Sequence, residues 1–71
     1  MCSKQQVNGY EEAVKDYKKV VEVEPDRAQA YYNLGKAYLK IDNNDLALEE
    51  YEILKTLDEE LANELIDFIE E

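Results

Sequence analysis

Residues 28–61 read AQAYYNLGKAYLKIDNNDLALEEYEILKTLDEEL, and the expected fold follows from this stretch. Its apolar residues recur every three or four positions on both sides of the polar segment 42–45. This spacing predicts two amphipathic helices joined by a short turn, because it places the apolar residues on one face of each helix. The predicted buried stripes are Ala30, Tyr31, Leu34, Ala37, Tyr38 and Ile41, followed by Leu46, Ala47, Leu48, Tyr51, Leu54 and Leu57.

The chain also matches itself at an offset of 34 residues, which extends the pattern in both directions. Upstream, Ala13 falls on Ala47 and Tyr17 falls on Tyr51. The upstream helix has the stripe Tyr10, Ala13, Val14, Tyr17, Val20 and Val21, and the downstream helix has Leu61, Leu65, Ile66, Phe68 and Ile69. Recurrence at a fixed period is the signature of a repeat architecture, in which each unit buries its apolar face against its neighbours.

The predicted fold is therefore all-α, an antiparallel helix-turn-helix stack of about four helices. We expect a disordered segment at residues 1–7, the second helix of a partial repeat at 8–24, a full repeat at 26–58 and a capping helix at 59–71. Pro25 ends the first helix, and Asp26 and Asp58 are the predicted N-caps of the second and fourth. Because no proline separates the last two helices, one continuous bent helix over residues 44–71 is the alternative.

Charge and composition exclude several classes of function. The net charge is −10, with 8 basic and 18 acidic residues, which argues against nucleic acid and anionic membranes as partners. Residues 1–41 carry a net charge of +1 and residues 42–71 carry −11. The chain has no histidine, one cysteine and no glycine-rich phosphate loop, and its carboxylates lack the spacing of a calcium loop. We expect no enzymatic activity, no metal and no cofactor.

Localisation is predicted from what the chain lacks. No apolar run approaches the roughly 20 residues that a membrane-spanning helix needs, and there is no apolar segment typical of a signal peptide. A cytoplasmic location is therefore expected. Cys2 is expected to be an exposed, inert thiol, and the alternative is the lipid-anchored cysteine of a lipoprotein.

Residues 28–61 closely resemble a tetratricopeptide repeat, a helical hairpin with small residues at the helix crossing and bulky residues around it. The positions that meet this pattern are Tyr31, Leu34, Gly35, Tyr38, Ala47 and Tyr51. The resemblance implies that Gly35 and Ala47 meet where the two helices cross. Three positions depart from it: Asp42 replaces the usual turn glycine, Leu54 a small residue and Glu59 the proline that ends a repeat.

The same resemblance implies that the chain is a non-enzymatic scaffold that binds a peptide or protein on a concave surface. The first helix of each repeat lines this surface, and the matching positions are Gln29, Tyr32, Asn33, Lys36, Leu39 and Lys40. Lys36 and Lys40 predict an acidic or carboxylate-terminated partner. Binding of chaperone C-terminal tails, one activity of the family, is not expected, because Asn63 and Asp67 stand where that activity needs cations.

Self-association is the second hypothesis, in which the chain is part of a larger repeat array or pairs with another copy. The segment 8–23 resembles a second helix whose own first helix is missing, so part of its apolar surface is expected to stay exposed. A homodimer would cover that surface. The residues predicted to mediate it are Tyr10, Val14, Tyr17 and Val21.

Overall fold

The computed structural model describes the backbone of residues 3–70 and the side chains of residues 9–70. These residues form four helices: α1 (Ser3–Val23), α2 (Ala28–Lys40), α3 (Asn44–Leu57) and α4 (Glu59–Glu70). Each helix packs against the next one along the chain, and α2 also packs against α4. The predicted all-α stack is therefore confirmed, with α2 as its central helix.

The start of α1 differs from the prediction. Helix α1 begins at Ser3, so residues 3–7 are helical and the predicted disorder of residues 1–7 is wrong for this part. The helix continues through Gly9, a residue that costs about 1 kcal/mol relative to alanine inside a helix but does not by itself end one. Residues 1–2 lie outside the described residues, and the two predictions for Cys2 therefore stay predictions.

The connection between α1 and α2 runs through Pro25. Helix α1 ends at Val23, as a following proline predicts. The N-cap of α2 is Arg27 and not Asp26, which corrects the predicted start of this helix. Residues 24–27 form a turn instead, in which the Arg27 N–H donates to the Glu24 carbonyl at 3.1 Å. Because of this turn, the first residue of α2 is Ala28.

The other two connections each depend on one aspartate. Asp42 adopts φ = 64°, the left-handed conformation that the usual turn glycine would take. Asp58 has an extended backbone (φ −153°, ψ 100°), and its Oδ1 accepts hydrogen bonds from the N–H groups of Glu60 and Leu61 at 3.1 and 3.2 Å. Asp58 is thus the predicted N-cap of α4, and the alternative of one bent helix over residues 44–71 is wrong.

The core consists of two clusters of buried side chains that share α2. The first joins α1, α2 and α3 through Val14, Leu34, Ala37, Tyr38 and Ala47. The second joins α2, α3 and α4 through Tyr31, Leu54, Ala62 and Leu65. Most residues of the predicted stripes are buried or half-buried, and the exceptions are exposed: Tyr10, Val20, Leu48, Leu57 and Phe68.

Gly35 permits a close approach of α4 to α2. A β-carbon added at Gly35 would lie 2.6 Å from Cδ2 and 3.1 Å from Cδ1 of Leu65, and the three nearest atoms all belong to Leu65. The glycine therefore makes room for α4. Ala47 is fully buried in the first cluster, and its predicted contact with Gly35 at the helix crossing stays a prediction.

Candidate functional site

The six residues predicted to bind a partner lie along one side of α2. Their spacing of three or four residues places them on one helical face. Tyr32, Asn33, Lys36 and Leu39 are half-buried, whereas Gln29 and Lys40 are exposed. Gln29 Nε2 donates a long hydrogen bond of 3.4 Å to Asn33 Oδ1 within this face. The structure therefore brings the six together, as the sequence pattern predicts.

Lys36 is held between two aromatic rings. Its Nζ lies 5.2 Å from the centroid of the Tyr32 ring and 5.2 Å from that of the Phe68 ring. Both distances fall within the range of a cation–π interaction, which contributes roughly 0.5–1 kcal/mol at an exposed site. The two rings limit where the ammonium group can move, so a positive charge is kept at the junction of α2 and α4.

Two clefts border this face, one on each side of α2. The α2–α4 cleft has a volume of about 300 Å³ and is lined by Lys36, Leu39, Lys40 and Phe68. The α1–α2 cleft has a volume of about 200 Å³, and its walls are formed by Tyr10, Ala13, Tyr17, Asn33, Lys36, Ala37 and Lys40. Lys36 and Lys40 line both clefts. We refer to the face of α2 together with these two clefts as the α2 groove.

The charges of Lys36 and Lys40 are not neutralised by ion pairs in the part of the chain that the structure describes. Salt bridges there join Arg27 to Glu24 and Lys55 to Glu52, and none involves either lysine of the α2 groove. The rest of the chain is strongly acidic, at a net charge of −10. The groove is therefore a local cationic site, able to attract a carboxylate over about 8–10 Å at physiological ionic strength.

Tyr32 connects the groove to α4. Its hydroxyl donates to Glu64 Oε1 at 3.3 Å, which is long for an O–H···O hydrogen bond. Burial raises the pKa of Tyr32 above its ordinary value of 10.0, and the negative charge of Glu64 and the hydrogen bond to it raise it further. Tyr32 is therefore a neutral hydrogen-bonding group at physiological pH.

Five residues that line the α2 groove were not predicted as part of it: Tyr10, Ala13, Tyr17, Ala37 and Phe68. Phe68 was expected in the core, because the 34-residue offset places it on Leu34, yet it is 45% exposed. None of the four described helices covers Phe68 in the way that α3 covers Leu34, which explains the difference. Tyr10 and Tyr17 were assigned to self-association, and they line the α1–α2 cleft. No local sequence signal separates these two roles.

The predicted self-association surface is not a continuous exposed patch. Val14 is buried against α2 and α3, so it is not available to a partner, and its assignment to that surface is wrong. Tyr17 and Val21 are half-buried and pack against the core clusters. The apolar side chains that α1 does expose are Tyr10, Val20 and Val23. These residues differ because α2 packs against the face of α1 that includes Val14.

Two further observations concern the described part of the chain. None of its helices has the length and apolar character needed to cross a membrane. No group of three or more histidine, cysteine, aspartate or glutamate side chains within it could hold a metal ion.

Antiparallel helices that recur at a fixed period and share one core define a helical repeat protein. Two family models match this chain: a TPR repeat over residues 6–42 and a tetratricopeptide repeat over residues 28–60. The chain belongs to the tetratricopeptide repeat family. Repeats of this family generally mediate protein–protein interactions and are not enzymes. Comparison with curated proteins and with solved structures found no match.

Proposed function

We propose that this protein binds an acidic or carboxylate-terminated segment of a partner protein in the α2 groove, and that this groove is the concave surface of its repeat. The observation that carries the proposal is the position of Lys36 and Lys40, which line both clefts of the groove. A carboxylate of the partner would lie between these two lysines. The groove is a cationic site in a protein of net charge −10, so charge favours this site over the remaining acidic surface.

The two clefts supply apolar contact area beside the charge. Leu39 and Phe68 line the α2–α4 cleft, and Tyr10 and Tyr17 line the α1–α2 cleft. Large apolar and aromatic side chains contribute most of the binding energy at protein interfaces, whereas exposed charges contribute mainly to specificity and to the rate of association. The favoured partner segment therefore carries an acidic residue flanked by apolar side chains that enter the clefts.

The test is a titration of the ¹⁵N-labelled protein with an acetylated peptide of sequence Leu-Glu-Asp-Leu-Glu-Leu, followed by amide chemical shifts. We expect the largest shifts at Lys36, Leu39 and Phe68, and weaker binding as salt is raised, because exposed charge contacts are screened. A peptide with lysine at each acidic position and an amidated C-terminus should not bind. The double variant Lys36→Gln, Lys40→Gln should lose at least tenfold in affinity.

The matched control is Lys15→Gln, Lys19→Gln, which removes two exposed lysines with the same spacing from α1. This variant has the same change in net charge and should bind as the parent does. Equal losses in the two double variants would mean that only net charge matters. Equal binding of the basic peptide would assign recognition to the acidic surface and would contradict the proposal.

A further inference from the structure

The 34-residue repeat relates exposed apolar residues at the ends of the stack to buried residues inside it. Val20 of α1 corresponds to Leu54 of α3, and Val20 is 38% exposed whereas Leu54 is fully buried. Leu48 of α3 corresponds to Val14 of α1, and Leu48 is 39% exposed whereas Val14 is 8% exposed. Each end of the stack therefore exposes a side chain whose counterpart is covered.

The covering helices explain both differences. Leu54 lies in a cluster with Tyr31 of α2 and with Leu65 of α4. Beside Val20, α2 takes the place that α4 takes beside Leu54, and no described helix takes the place of α2. Because α2 and α4 are equivalent in the repeat, a helix equivalent to α4 would complete the cover of Val20. Val14 lies in a cluster with Ala47, which corresponds to Ala13 of α1. The helix that would cover Leu48 is therefore one equivalent to α1.

We propose that a second copy of this chain supplies both covers, by stacking end to end with the first. Helix α1 of one copy would pack on α4 of the other, as α3 packs on α2 within a single copy. Val20 would then contact α4 of the neighbouring copy, and Leu48 would contact the neighbour's Ala13. The surface of α1 beside Val20 is a groove of about 490 Å³, lined by Asp16, Lys19, Val20, Val23, Glu24 and Arg27.

Charge favours this arrangement over a contact between the C-terminal ends of two copies. Residues 1–41 carry a net charge of +1 and residues 42–71 carry −11. Two C-terminal ends would repel each other, whereas the N-terminal end of one copy meets the acidic end of the other without this cost. The two surfaces are different, so the contact is heterologous. Such contacts give rings or open chains that grow with protein concentration, unlike a symmetric dimer.

Two single substitutions, each at one end of the stack, test the proposal by sedimentation equilibrium. Val20→Glu blocks the N-terminal surface and Leu48→Glu blocks the C-terminal surface, and circular dichroism checks that both variants keep their helices. The average mass of the wild type should rise above the monomer mass of 8.3 kDa between tens and hundreds of micromolar. Each variant alone should stay at the monomer mass, because every copy carries the same blocked surface and each contact needs both surfaces.

An equimolar mixture of the two variants is the decisive sample. Val20→Glu retains an intact C-terminal surface and Leu48→Glu an intact N-terminal surface, so the mixture should form dimers of about twice the monomer mass and nothing larger. The matched control is Ile53→Glu, the same change on α3 at an exposed residue. Its counterpart is the exposed Lys19, so the repeat predicts no cover there and this variant should assemble as the wild type does.

Four outcomes would overturn the proposal. A wild type that stays monomeric at hundreds of micromolar would leave these surfaces to another partner. Undiminished assembly of Leu48→Glu together with a monomeric Val20→Glu would indicate symmetric pairing through α1. A mixture that remains monomeric would show that the two surfaces do not bind each other. Loss of assembly in Ile53→Glu would mean that the added charge, and not the position, is responsible.

Discussion

The contact between Gly35 and Leu65 decides how closely α2 and α4 approach. Leu65 is fully buried, so its side chain has no solvent-filled space into which it could turn if a β-carbon were added at Gly35. A separation of 2.6 Å from Leu65 Cδ2 is shorter than van der Waals contact between carbon atoms, which is about 3.5–4.0 Å. Glycine at this position therefore stabilises the stack through packing, although it lowers the intrinsic stability of the helix.

Gly35→Ala should destabilise the protein by about 1 kcal/mol. Overpacking of a core destabilises a protein by about 1–3 kcal/mol, and the better helix propensity of alanine offsets at most about 1 kcal/mol of this loss. Gly9→Ala is the matched control, because Gly9 also lies within a helix and has no atom within 4 Å of an added β-carbon. That change should stabilise the protein by about 0.5–1 kcal/mol.

The measurement is urea unfolding of both variants, followed by circular dichroism. The midpoint should fall for Gly35→Ala and rise for Gly9→Ala. A rise in both would mean that Leu65 adapts without cost and that Gly35 is not required for the approach of α4.

At the scale of the element, the helices begin in different ways. The N-caps of α2 and α3 are Arg27 and Asn43, and neither makes a side-chain hydrogen bond to its helix. Asp58, in contrast, accepts hydrogen bonds from two backbone N–H groups of α4. Its carboxylate also lies at the positive end of the helix dipole. This aspartate ends α3 and starts α4 directly before Glu59, the residue that replaces the usual proline of the family.

Asp58→Ala should therefore destabilise the protein by about 1 kcal/mol, the usual cost of losing an N-cap side chain. Asp67→Ala is the control, since Asp67 is an exposed aspartate within α4, and its removal should change stability by less than about 0.5 kcal/mol. Thermal unfolding of both variants at neutral pH compares them. Similar changes in the two midpoints would show that net charge, and not the cap, accounts for the effect.

At the scale of the whole molecule, Glu50 of α3 interacts electrostatically with Lys18 of α1 and with Tyr38 of α2. Glu50 is only 9% exposed, although its position in the sequence does not mark it as buried. Its pKa is raised from the ordinary 4.5 to about 7, chiefly by burial and then by the neighbouring charge of Glu49, while Lys18 of α1 lowers it. Burial also raises the pKa of Tyr38 of α2, with Glu50 as the next cause.

Stability should consequently fall as the pH rises from about 4.5 to 7, because the folded state binds the proton of Glu50 more tightly than the unfolded state does. Above pH 7 the buried charge is present in full. Glu50→Gln removes this charge and should stabilise the protein by about 1–3 kcal/mol at pH 8, with little effect at pH 4.5.

Urea unfolding at several pH values measures this difference. Glu52→Gln, an exposed glutamate on the same helix whose salt bridge to Lys55 spans 3.8 Å, is the control and should have little effect, as exposed ion pairs usually do. An equal gain for Glu50→Gln at both ends of the pH range would show that the carboxylate does not titrate on unfolding.

The sequence alone determined the helices and their order. The three- and four-residue spacing of apolar residues depends only on the period of the helix, and Pro25 and Asp58 act locally on the backbone, so the ends that they mark were predictable. The 34-residue offset placed equivalent helices in equivalent positions, which predicted a stack. It also placed the six residues of α2 on one face, because that too follows from helical spacing.

Only the tertiary structure decided which neighbour covers each apolar face. Equivalent positions in a repeat have the same local sequence pattern but different environments inside the stack and at its ends, so Val14 is buried while Leu48 is exposed. For the same reason Phe68 borders the α2 groove while Leu34 lies in the core. Gly35 faces Leu65, and Glu50 is buried, because of how separate helices approach one another. Periodicity along one helix carries no information about that approach.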